Sequence, residues 1–384
     1  MQFARTLLQI ASLLLSATAS VAQEVPDAGT LQALDAALRA LRSAPDSEAT
    51  RLEVASLYLK AGQNTNAAET LKQYLESHPQ APKILRLLAL AYLRQEDYAA
   101  AKDAAERALR FGQRDSAGVE VLAMAQLGLQ ATDAAESLFR EAVKLDPNSL
   151  EANLQLGLLY SKQHRNLEEA VRLLEKARSL QPDLAGTYAV LGSAYLQLGN
   201  ARKAAVELED AVRLAPDNAE PYYVLASAYR RLQDESRAKT ALEAFSARKK
   251  ADAEQRAREM RGRANYEEGV NLLSNTNQLD KAYELLTQAV REIPGFAPGY
   301  YRMAQVSYLK GDLPNALTSI REALRLNPLE PEYYYVLARS LEDTDPKGAL
   351  DAIEKALNFR PGVPDFEDLR KELKNEITSK PPVQ

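Results

Sequence analysis

Few side chains in this sequence could carry reaction chemistry, and their spacing argues against it. The 384-residue chain has two histidines and no cysteine. His78 precedes Pro79 at a helix end, and His164 stands beside Arg165 in a turn between two helical stretches. Metal binding needs a second ligand at a fixed spacing, as in HExxH, and neither histidine has one. Both are expected on surface turns. The lack of cysteine excludes disulfides, thiolate catalysis, iron–sulfur clusters and cysteine-held zinc. An oxidising compartment is tolerated but is not used for stapling. No GxSxG, Walker loop or GxGxxG occurs. Adjacent acids such as Glu168-Glu169 and Glu267-Glu268 read as solvated helix faces, not as paired catalytic carboxylates. The expectation is a protein without metal or cofactor that is not an enzyme.

The net charge of −5 lacks the basic footprint of a nucleic-acid binder. The first residues read as a secretory signal. Arg5 is the one charge before Glu24, Leu7 to Leu15 is largely apolar, and Ser20-Val21-Ala22 offers small residues to a signal peptidase. Cleavage is expected after Ala22, giving an exported chain, periplasmic or secreted. The apolar run is too short to span a hydrocarbon core of about 30 Å comfortably. No later run is long enough to cross a membrane.

Two ladders then settle the architecture. Alanines recur at 33, 67, 101, 135, 170, 204, 238, 282, 316 and 349, with steps of 34, 34, 34, 35, 34, 34, 44, 34 and 33. Pro45, Pro79, Pro147, Pro182, Pro216, Pro294, Pro328 and Pro361 run parallel, with Gln113 and Lys250 on the two rungs that lack proline. A period of this length means stacked supersecondary units. In Ala185–Asn218, Tyr188, Leu191, Gly192 and Tyr195 share one helical stripe. Gly199-Asn200 breaks that helix. Ala204, Leu208 and Ala211 form the stripe of a second helix, and Pro216 stops it. Ala204 is small because the paired helices approach closely there.

These residues resemble the tetratricopeptide repeat, a 34-residue helix–turn–helix unit. The match is close in Ser116–Asn148, through Leu122, Ala123, Ala135, Phe139, Ala142 and Pro147. It is also close in Ala297–Leu329, through Tyr300, Met303, Ala304, Ala316, Ala323 and Pro328. The resemblance implies an all-α fold, a right-handed α-solenoid or superhelix. Its concave groove would be lined by the first helix of each pair. About nine full repeats run between Ser47 and Val363. The leading helix, Thr30 to Ser43, looks like the second half of a degenerate repeat within residues 23–46. Residues 47–250 form a six-repeat block and 262–363 a three-repeat block. The 44-residue step between them carries extra residues rich in Ala, Glu, Arg and Lys, read as a helical connector over 251–261. Pro364 to Thr378, with Phe366, Leu369, Leu373 and Ile377 on one face, reads as a capping helix in the terminal segment 364–384.

Groove residues follow from the register. One place after each large leading residue stand Leu52, Arg86, Glu120, Leu154, Ala189, Tyr223, Tyr266, Tyr301 and Tyr335. The last four are all tyrosine. One turn on come Ser227, Val270, Gln305 and Arg339, and near the next turn Arg230, Arg231 and Tyr308. Tyrosine offers apolar area with a hydroxyl handle, and arginine offers planar donors for carboxylates. Tyr223, Arg230, Tyr266, Tyr301, Tyr308, Tyr335 and Arg339 are therefore the candidate peptide-binding set. Packing between neighbouring repeats is the competing role for the tyrosines. Some relatives clamp chaperone C-termini with Lys, Asn and Arg, but Leu52, Ser56, Arg86 and Leu90 lack that lysine–asparagine pair. The expected function is a protein–protein scaffold or adaptor in the cell envelope, with other proteins or peptides as partners. A holding chaperone and an assembly factor for envelope, pilus or exopolysaccharide machinery are the alternatives, and an enzyme is the remote one.

Overall fold

The computed structural model describes residues 26–379. The signal reading at 1–22 and the tail after 379 lie outside them. All regular structure among the described residues is helical. The chain divides into two compact units: residues 46–59 and 63–253 in one, and 26–45, 60–62 and 254–379 in the other.

Helix α1 (Ala28–Ser43) belongs to the second unit. The first unit is a run of helical hairpins: α2 (Glu48–Lys60) with α3 (Asn64–Ser77), and α4 (Pro82–Arg94) with α5 (Tyr98–Phe111). Then follow α6 (Ser116–Gly128) with α7 (Thr132–Leu145), α8 (Leu150–Lys162) with α9 (Leu167–Leu180), and α10 (Ala185–Gln197) with α11 (Ala201–Leu214). It ends on α12 (Glu220–Arg231) and the start of α13 (Glu235–Asn271).

Each hairpin is built by the same few contacts. A Cβ on Gly192 would sit 2.5 Å from the Leu208 side chain and 3.2 Å from the Ala204 carbonyl oxygen, so the helix pair closes at the expected alanine. Gly157 meets Leu174 and the Ala170 carbonyl in the same way. The proline rungs are held by hydrogen bonds from the first helix of the repeat that follows. The hydroxyls of Tyr188, Tyr222 and Tyr334 donate to the carbonyls of Pro182, Pro216 and Pro328, at 2.7, 3.1 and 2.9 Å. Seven of the hairpin turns use a left-handed residue, filled by Gly62, Gly199 and Gly311 and elsewhere by Glu96, Gln130, His164 (with Asn166 in the same turn) and Gln233. The residue after it bonds back five places, as in Asp97 N–H to Tyr92 O and Asn200 N–H to Tyr195 O, which closes the helix end.

In the second unit, the C-terminal part of α13 packs on α14 (Leu279–Glu292): a Cβ on Gly262 would meet Ile293, and one on Gly269 would meet Leu286. Then come α15 (Ala297–Leu309) with α16 (Leu313–Leu326), α17 (Pro331–Leu341) with α18 (Pro346–Phe359), and α19 (Pro364–Ser379). Phe366, Leu369 and Leu373 of α19 are buried in one cluster with Ile353 and Leu357 of α18.

Two features go beyond the sequence reading. The residues around the 44-residue step lie within one uninterrupted helix, α13, which serves as the second helix of one repeat and continues into the first helix of the next. Ala238 and Ala241 lie in the core of the first unit, and Tyr266 and Val270 pack on that of the second, while 253–258 is exposed on every side. The leading helix, expected as half of a first repeat, sets its buried Leu34 and Ala37 in the second unit, and α1 packs against α18.

Candidate peptide-binding faces

In the first unit the register residues form a mixed face. Arg86 pairs with Asp115 at 2.5 Å, Ser116 donates to Glu120 at 2.5 Å, and Leu154 is buried in the core with Val190 and Ala194. The first helices are also tied to each other at their C-terminal ends. Arg94 donates to the Leu59 carbonyl and Arg231 to the Leu196 carbonyl, both at 2.6 Å. Each cation thus adds a donor at the negative end of the preceding first helix. Lys162 occupies the same register, and burial pushes its ammonium down to about 8.

Tyr223 and Arg230 differ from this pattern. Tyr223 is 52% exposed, and its one aromatic neighbour among the described residues is Phe245, with centroids 5.4 Å apart and planes tilted by 48°. Ser227, one turn on, bonds back to the Tyr223 carbonyl. Arg230, two turns on, is exposed and has no ion-pair or hydrogen-bond partner among the described side chains. A ring, a hydroxyl and an uncommitted guanidinium therefore share one open helical face.

In the second unit the three remaining tyrosines are half-buried, each against an aromatic side chain further along. Tyr266 meets Phe296 edge-on at 4.8 Å, Tyr301 stacks on Tyr333 at 4.8 Å, and Tyr335 stacks on Phe366 at 5.3 Å. Burial raises the Tyr301 and Tyr335 hydroxyls above the usual phenol range. Gln305 donates to the Tyr301 hydroxyl at 2.8 Å and accepts from Arg302 at 2.7 Å. Tyr308 and Arg339 converge on one carboxylate: Tyr308 donates to Glu342 at 3.5 Å, and Arg339 pairs with it at 3.1 Å. Phe245, Phe296 and Tyr333 were not singled out from the sequence, and Phe366 only as part of the capping helix's stripe. Their signal was available, because Phe296, Tyr333 and Phe366 each follow a register tyrosine by 30 to 32 places.

Neither histidine stands with ligands. His78 stacks on Tyr74 at 4.3 Å, and His164 is one of the left-handed turn residues. Among the described residues no group of three acids or histidines could hold a metal ion.

Family models for the tetratricopeptide repeat match residues 52–117, 121–187, 185–218 and 219–250. This chain carries tetratricopeptide repeats. A model for the second ARM domain of tetratricopeptide repeat protein 21 matches 265–343. Tetratricopeptide repeats mediate protein–protein interaction, and their domains bind proteins or peptides. Among solved structures, the chain is similar to YrrB, described as a TPR protein with an unusual peptide-binding site. That match has 23% identity over 52% of this chain and 100% of that one, with a TM-score of 0.41. It is also similar to MamA from Desulfovibrio magneticus RS-1, at 24% identity over 45% of this chain and 95% of that one, with a TM-score of 0.40. No curated protein matches. No described helix is long and apolar enough to cross a membrane.

Proposed function

We propose that this tetratricopeptide repeat protein is a non-enzymatic scaffold of the cell envelope, exported by its N-terminal segment, that holds partner proteins on the first-helix faces of its repeats. The observation that carries the reading is the open pair Tyr223 and Arg230. A large exposed ring costs solubility unless it has a use, and an unpaired guanidinium two turns away supplies a fork for carboxylates. That pair suits an extended segment bearing acidic side chains or a terminal carboxylate. On the second unit, Tyr308 and Arg339 would exchange Glu342 for a partner's carboxylate, beside the stacked rings of Tyr301 and Tyr335.

A pull-down from envelope fractions tests this, run side by side with the wild-type chain and a Tyr223→Ala/Arg230→Ala variant. A protein retained by the first and lost by the second supports the reading. Equal retention by both overturns the assigned face. Export is tested by N-terminal sequencing after osmotic release. A chain starting at Gln23 is expected, and intact Met1 in a cytoplasmic fraction contradicts it.

A further inference from the structure

Helix α1 makes an unusual set of contacts for the first helix of a repeat array. One stripe, Thr30, Leu34, Ala37 and Leu38, is buried, and Leu34 is wholly so. The helix packs against α18, the second helix of the last repeat. Asn358 of α18 is buried to 7% exposure, and α1 satisfies both ends of its amide. Its nitrogen donates to the Asp35 carboxylate, and its oxygen accepts from the Arg42 guanidinium. The bonded residues are 323 and 316 places apart in the chain. Tyr334, on the first helix of the same repeat, feels Asp35 as well: burial first, and then that carboxylate, push its hydroxyl up to about 12.

This arrangement differs in kind from the repeat stacking. Contacts between neighbouring repeats are made by elements a few tens of residues apart, and they follow from the period. The α1 contact follows from no period. It joins an apolar stripe to a site read by a buried amide, which is directional and fixes the helix along its axis as well as its rotation. The residues that follow α1, Ala44, Pro45 and Asp46, are exposed, so the helix is held by its own face and not by its connection.

We infer that α1 is a clasp held by the last repeat, and that the face beneath it is a second docking surface of this chain. That surface is shaped for an amphipathic helix carrying two leucines four residues apart beside an aspartate and an arginine spaced as Asp35 and Arg42. It lies on a second helix and is separate from the Tyr223–Arg230 face. A partner helix of that chemistry takes the place of α1 by matching its stripe and its two bonds to Asn358. In the free chain α1 keeps the surface closed.

The test uses the full chain with Leu34→Asp, which removes the stripe's central contact from α1 and leaves the receiving face intact. The probe is a fluorescent peptide of residues 27–44. The variant is expected to bind it at least tenfold tighter than the wild-type chain, whose face is occupied. Adding Asn358→Ala to the variant is expected to abolish the gain. Equal binding to the variant and the wild type, or binding to neither, overturns the proposal. Helical circular dichroism that is unchanged in Leu34→Asp shows that the gain in binding reports the opened face and not unfolding.

Discussion

Tyr301 and Tyr333 lie ring on ring, with centroids 4.8 Å apart and planes 27° from parallel. The two rings belong to the first helices of successive repeats, so a residue chosen as a candidate ligand contact is also part of the seam between repeats. Tyr335 on Phe366 repeats the arrangement one unit later. Removing both tyrosines, as Tyr301→Ala/Tyr335→Ala, is expected to cost stability by about 3–5 kcal/mol. Each side chain loses part of its burial and an aromatic pair worth about 0.5–1.5 kcal/mol. Urea unfolding followed by circular dichroism checks this; an unshifted midpoint would mean that the stacks carry no load.

A contrasting pair concerns the helix–helix contact inside a hairpin. Ala204 is fully buried, against the position where Gly192 allows close approach. Ala204→Leu is expected to destabilise by about 1–3 kcal/mol, because the larger side chain must push the pair apart. Lys203 is exposed and touches only the face of the Tyr195 ring, at 5.0 Å. Lys203→Leu should therefore change stability by about 0.5 kcal/mol at most. Equal midpoints for the two variants would contradict the helix phase.

Hairpin turns offer a stabilising prediction. Gln130 and Gln233 hold φ values of 63° and 58°, where Gly199 holds 81° in an equivalent turn. A side chain in the left-handed region costs about 1–2 kcal/mol, of which glycine recovers a part after its own entropy loss. Gln130→Gly and Gln233→Gly are each expected to raise stability by about 0.5–1 kcal/mol, and Gly199→Ala to lower it by a similar amount. Thermal melts of the three variants test the sign; a fall for both glutamine variants would show that those side chains hold the turn.

Alkaline pH should unfold the chain through its tyrosines. Burial, followed by the bond to Glu209, pushes Tyr229 up to about 12, and burial with Asp35 does the same for Tyr334, against an ordinary 10.0. Below pH 10 both folded and unfolded chains keep these protons, so the contribution is fully present. Above it the unfolded chain ionises first, and stability falls until the pH passes through about 12. Tyrosinate absorbance and helical circular dichroism should therefore change together between pH 10 and 12. Titration of all tyrosines near 10 with helix content intact would contradict this.

Much of this was legible in the sequence because a repeat states its contacts many times. The alanine ladder marks where paired helices touch, and the proline ladder marks the turns that Tyr188, Tyr222 and Tyr334 hold by hydrogen bonds. The absence of proline and the helix-forming composition around 251–261 pointed to the helical stretch inside α13. Two things were not legible. The stripe on α1 shows that it is buried but not against what, since its partner Asn358 stands outside any period. The roles of Tyr266, Tyr301 and Tyr335 depend on whether an aromatic ring meets them from the next element, and register analysis taken one repeat at a time overlooks Phe296, Tyr333 and Phe366. Tyr223 shares their register but has only Phe245, from within its own repeat, and stays open.

The most direct test of the scaffold reading is the affinity of a captured partner for the Tyr223→Ala/Arg230→Ala variant, measured by calorimetry beside its melting temperature. The account predicts a loss of more than about 2 kcal/mol in binding, the scale of interface hot spots, with melting nearly unchanged because neither side chain is buried. Lys203→Leu, the control, should bind like the wild type. An unaltered affinity in a fully folded double variant would contradict the account.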